Sequence, residues 1–97
     1  MTTYIMLANY TDAGVRNITD STRRLDAARK LLKDMGGEFR TFFLTMGQYD
    51  IVAEYEAPDD AIAARFSLQL SALGNVRMQT LKAFPEPAYR EIIASLK

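Results

Sequence analysis

The run Thr3-Tyr4-Ile5-Met6-Leu7-Ala8-Asn9-Tyr10 decides how the rest of the chain must fold. It is β-branched, aromatic or apolar along most of its length, and Asp12, Ala13 and Gly14 follow as a turn signal, which is the pattern of a strand. Successive side chains on a strand point to opposite faces, so Tyr4, Met6, Ala8 and Tyr10 share one side while Ile5, Leu7 and Asn9 share the other. Both sides are apolar, so the strand must be covered twice.

Working outward, Asp20 or Ser21 is placed to cap a helix in which Leu25, Ala28, Leu32 and Met35 recur at helical spacing and Gly36-Gly37 supplies a left-handed stop. The spacing predicts a helix over about Ser21 to Met35. Glu38 to Thr45 is dense in Phe and Thr, and from Asp50 to Glu56 the residues Ile51, Ala53 and Tyr55 alternate with Val52, Glu54 and Glu56. These read as two strands joined by Met46-Gly47-Gln48-Tyr49, with Gly47 where positive φ is cheap. Ala57-Pro58-Asp59-Asp60 breaks the strand and offers an N-cap, after which Ile62, Phe66, Leu70 and Leu73 keep one helical stripe until Gly74. Asn75 to Phe84 is a last strand, with Val76, Met78 and Thr80 alternating against Arg77, Gln79 and Leu81 until Pro85 and Pro87 end it. The tail carries Tyr89, Ile92, Ile93 and Leu96 on one side and is expected to dock as a short C-terminal helix.

The order β-α-β-β-α-β predicts a single α+β domain over residues 1–97. It is the ferredoxin-like sandwich, with a four-stranded antiparallel sheet and both long helices on one face. The opposite face then stays open and too apolar for water, so two copies are expected to pack sheet to sheet as a dimeric α+β barrel, a homodimer or a higher homo-oligomer.

Twelve basic and twelve acidic side chains cancel, so nothing supplies the positive field that nucleic-acid or anionic-membrane binding needs, and neither partner is expected. The chain has no Cys and no His, which removes disulfides, thiolate chemistry, Ser-His triads and the commonest metal ligand. No metal or other cofactor is expected. The start, Met1-Thr2-Thr3-Tyr4, lacks the basic segment of a signal peptide and no apolar run approaches a membrane span, so a cytoplasmic location is expected.

Chemistry has few addresses. Gly47-Gln48-Tyr49-Asp50 packs a turn glycine, an aromatic and a carboxylate at the entrance to a buried strand, where Asp50 can serve turn amides or, with Tyr49, line the rim of a cleft between subunits. Glu54, Arg77 and Gln79 lie within strands, either as structural ion pairs or as polar anchors of an apolar pocket. Asn9 ends the first strand, and the following segment to Thr19 is longer than a tight connection needs, so it is either an ordinary turn or a flap over a cleft. Arg23, Arg24, Arg29, Lys30 and Lys33 are interleaved with Asp20, Asp26 and Asp34 and read as a solvated helix face. The five methionines read as core filling.

Taken together, Tyr4-Ile5-Met6-Leu7, the helix start from Asp20 to Arg29, Leu44-Thr45-Met46-Gly47-Gln48-Tyr49-Asp50, Ala57-Pro58-Asp59-Asp60 and Leu73-Gly74-Asn75-Val76-Arg77 resemble GYD-domain proteins end to end. That family takes its name from a motif standing here as Gly47, Tyr49 and Asp50, and not from a reaction. The chain is also similar to the effector-binding domain of leucine-responsive and asparagine-type bacterial regulators, which dimerise through sheets and bind small molecules between subunits. No DNA-binding helix-turn-helix precedes the matching region, so a transcription-factor role is not expected. The open apolar face, its few polar residues and the hairpin motif point to a small oligomeric module binding a small molecule in a cleft between subunits, at Asn9, Tyr49, Asp50, Glu54, Arg77 and Gln79. Fold analogy leaves two alternatives: a cofactor-independent monooxygenase or isomerase using Tyr49, Asp50, Glu54 or Arg77, and a purely structural assembly module.

Overall fold

Each period-two stretch forms a strand and each 3.6-period stretch a helix in the computed structural model, which describes Met1 to Lys97. The elements run β1 (Thr2–Tyr10), α1 (Asp12–Arg16), a 3-10 turn (Ile18–Asp20), α2 (Ser21–Asp34), β2 (Glu38–Leu44), β3 (Ile51–Ala57), α3 (Asp60–Ala72), β4 (Val76–Ala83) and α4 (Glu86–Ala94). The sheet order is β2-β3-β1-β4 with every neighbour antiparallel, so β1 and β3 are central and the two βαβ units are split.

Register assigns the faces. Tyr4 pairs with Tyr55 and Lys82, Met6 with Ala53 and Thr80, and Ala8 with Ile51 and Met78, all on the side covered by α2 and α3. Tyr4, Phe39, Tyr55 and Phe66 form an aromatic cluster there, with ring centroids 5.3 to 5.9 Å apart in four pairs. Such pairs add about 0.5 to 1.5 kcal/mol each beyond the area they bury. Leu32 of α2 and Phe66 of α3 are wholly buried against the cluster.

In β2 the register slips between Phe39 and Thr41, leaving Arg40 unpaired. The bulge lets Phe39 and Phe42, three residues apart, both face the helices, while Phe43 points to the open side opposite Val52. Periodicity alone cannot show such a slip.

One open local reading is decided and two expectations are corrected. The segment after β1 is not a free flap: the Thr11 hydroxyl caps α1 by accepting from the Gly14 amide and donates to the Gly74 carbonyl, and the Thr11 amide reaches the Asn75 carbonyl at 3.1 Å. Gly14 lies so close to that carbonyl that a Cβ would collide with it. Neither Asp20 nor Ser21 caps α2 by side chain, because the 3-10 turn leads straight into it. The C-terminal helix forms but does not dock. Apart from half-buried Ala88 its residues are all exposed, its stripe of Tyr89, Ile92 and Ile93 faces solvent, and the molecule is drawn out to 53 Å by 31 Å by 18 Å. One smaller reading also shifts: Met1 and Met46 are exposed and so fill no core, while on α2 the exposed Arg29 guanidinium lies over the Phe39 ring at 5.6 Å.

Candidate functional site

The open face of the sheet follows from the same register read one residue out of phase. Its central row is Phe43, Val52, Leu7 and Gln79; the next toward the β1 start is Thr41, Glu54, Ile5 and Leu81; and Asn9 pairs with Arg77 at the other end. Phe43 is 58% and Leu81 46% exposed, so this is an apolar stripe open to water, with nothing in the chain lying over it.

At one end of the stripe, Glu38 and Glu56 are paired across β2 and β3, and the Arg40 guanidinium from the bulge bridges both. Glu56 holds that guanidinium more firmly protonated than usual, and Glu54 adds its negative field. Glu54 itself makes no ion pair or hydrogen bond.

At the other end five candidate residues come together. The Asp50 amide donates to the Ala8 carbonyl at 3.0 Å and to Asn9 Oδ1 at 3.1 Å, while Asp50 Oδ2 accepts from the Tyr10 amide at 3.0 Å. The Tyr49 hydroxyl donates to Gln79 Oε1 at 3.0 Å, crossing from the hairpin to β4. The connection is held from inside as well, since the Thr45 amide donates to the Asp50 carbonyl at 2.8 Å and the Thr45 hydroxyl to the Tyr49 carbonyl. Gly47, at φ 151°, reverses the chain there with open space around it. The Gly47-to-Asp50 motif therefore pins the hairpin onto the ends of β1 and β4. What it leaves unused is rich in donors: the Asn9 and Gln79 amide nitrogens and the Arg77 guanidinium, which makes no ion pair. Glu54 shares the face but pairs with Ile5, four residues from Asn9 along β1 and so roughly 13 Å away; it is not part of this corner.

Two polar features had no clear sequence signal. On the helix side, the Tyr4 hydroxyl donates to Asp60 Oδ1 at 2.6 Å and the Lys82 ammonium to Oδ2 at 3.1 Å. Asp60 is free to do this because Asp59 caps α3, accepting from the Ile62 amide at 2.9 Å. Burial first, and then the bond to Asp60, pushes the Tyr4 phenol up to about 12, and both donors hold the Asp60 carboxyl below its ordinary range. Burial also raises the Tyr55 phenol, whose hydroxyl, like that of Thr80, is buried without a hydrogen-bond partner.

A cavity of about 80 Å³ lies between the sheet and the helices, lined by apolar residues such as Met6, Phe42, Leu70 and Met78 with Ser21, Arg24 and Asn75. Arg24 is committed to the Asn17 and Gly14 carbonyls at 2.8 and 3.4 Å. The space is well below the several hundred Å³ of an ordinary ligand pocket and is a packing gap where α2 and α3 touch at few points. No three acidic side chains converge to hold a metal ion, and no helix is long and apolar enough to cross a membrane.

Comparison with known proteins is consistent along the chain. The family described as GYD domain matches residues 4–93. A protein of Thermus thermophilus named glutamine synthetase and cystathionine beta-lyase binding protein is 34% identical over 98 residues, covering the whole of both chains. The crystal structure of TTHA0845 from the same organism superposes with a TM-score of 0.56 at 22% identity, over 88% of this chain and 95% of that one, and shares the fold.

Proposed function

The chain belongs to the GYD domain family, and on that premise we propose that it is a non-catalytic binding module that pairs with itself through the open sheet face and, so assembled, binds metabolic enzymes of the kind its Thermus relative is named for. The observation that carries this reading is the uncovered stripe of Ile5, Leu7, Phe43, Val52 and Leu81. Four strands about 4.8 Å apart make a face whose pairing buries on the order of 1,000 Å² in total, the lower bound of a specific interface. The name of the relative supports the second half.

Analytical ultracentrifugation tests the first half. The wild type is expected to sediment as a dimer or larger species at micromolar concentration, and Leu7→Glu as a folded monomer; a monomeric wild type overturns the reading. Surface plasmon resonance with purified glutamine synthetase and cystathionine beta-lyase from the same source tests the second half. Binding by the wild type that Leu7→Glu loses supports it, and no binding to either enzyme removes it.

The unused donors favour a further reading for the Asn9, Tyr49, Asp50, Arg77 and Gln79 corner: a small carboxylate held between subunits by the Asn9 and Gln79 amide nitrogens. A carboxylate at 100 times its dissociation constant stabilises the protein by about 2.7 kcal/mol, which a thermal-shift screen reads directly. Equal responses of the wild type and Gln79→Leu to every carboxylate would remove this reading.

A further inference from the structure

We propose that the two copies meet about a two-fold axis crossing the strands over Leu7, so that Arg77 of each lies against Glu54 of the other. The proposal rests on the self-pairing reading above and specifies its geometry.

The register supplies the argument. From Leu7, Arg77 lies one strand over, on β4, and two residues along, opposite Asn9. Glu54 lies one strand over in the other direction, on β3, and two residues back, opposite Ile5. Leu7 is therefore the midpoint between the two charges, each roughly 8 Å away on an idealised sheet. A two-fold axis in the plane between the sheets, passing over Leu7 at right angles to the Arg77–Glu54 line, exchanges the two positions. It creates two ion pairs, one on either side of a Leu7–Leu7 contact, and this is the self-complementarity a two-fold interface requires.

Neither charge enters an ion pair in its own chain, and Arg40 acts on Glu54 only at longer range while bonded to Glu56. Arg77 is exposed and Glu54 half-buried. Glu38 and Glu56 are already neutralised in part by Arg40. Under the same rotation they fall beyond the partner's β4 edge, where they stay solvated. The strands of the two sheets then cross at roughly 70°, close to the orthogonal class of sheet packing, and the roughly 10 Å between sheets is within reach of an Arg and a Glu side chain. An axis running along the strands would instead set Arg77 over the partner's Asp50, whose Oδ2 is already engaged by the Tyr10 amide. An unpaired half-buried carboxylate gains more from a guanidinium than one already bonded.

Charge reversal tests the pairing, with dimer dissociation constants measured by sedimentation and folding checked by circular dichroism. Arg77→Glu and Glu54→Arg are each expected to weaken the dimer by about tenfold or more, and the double variant to restore it to within about threefold of the wild type. If both single variants leave the dimer unchanged while Leu7→Glu abolishes it, the axis is wrong although self-pairing stands. Single variants that weaken the dimer without rescue in the double variant also overturn the Arg77–Glu54 pairing. A wild type that is monomeric throughout removes self-pairing itself.

Discussion

At the scale of single residues, Gly47 and Tyr4 carry the clearest consequences. Gly47 sits at φ 151° with nothing within 4 Å, so substitution there meets no clash and its whole cost is backbone strain. Gly47→Val is expected to lose about 1 to 3 kcal/mol in urea unfolding, with the denaturant slope unchanged. Tyr4 gives a pH dependence. In the unfolded chain its phenol ionises near 10, and in the folded chain near 12. Between those values the folded state keeps a proton the unfolded state has lost, so stability falls as pH rises from about 10 to about 12. Tyr4→Phe should flatten that decline, measured as the urea midpoint across the alkaline range. An equally steep decline in the variant would assign the effect to other groups.

At the scale of elements, what was legible in the sequence depended on whether a signal is local. The strands and long helices could be read because apolar period and turn chemistry are properties of neighbouring residues: Thr3 to Tyr10 and Asn75 to Phe84 were expected to within one residue at either end. Phe42 could not be assigned to a face, because that depends on the Arg40 bulge, which breaks the alternation. The tie from Thr11 to Gly74 and Asn75 joins residues more than sixty positions apart, so the sequence left the segment after β1 open between a turn and a flap. Asn9, Tyr49, Asp50, Arg77 and Gln79 could be named as polar residues in unusual places, but their convergence is a product of register. The amphipathic tail was the converse case: its pattern announced an apolar stripe, and no sequence rule says that a stripe must find its partner in its own chain. Because α4 makes so little contact with the body, removing residues 85–97 is expected to change the unfolding free energy by no more than about 0.5 kcal/mol at concentrations where the protein is monomeric. A loss of several kcal/mol would show that α4 docks after all.

At the scale of the whole molecule, one face of the sheet is closed by helices and the other by nothing in the chain, so stability and association are expected to be linked. The melting temperature should rise with protein concentration over a hundredfold range, and a constant value would separate folding from assembly. The central place of β1 also has a kinetic side. Its partners are β3, about fifty residues later, and β4, whose Ala83 pairs with Thr3 across eighty positions of sequence. During synthesis this two-faced apolar strand leaves the ribosome before either of its partners and can complete its ladder only when nearly all of the domain has followed. For that interval the strand that organises the finished sheet is an unpaired apolar segment open to aggregation, and a nascent-chain chaperone would find a binding site there.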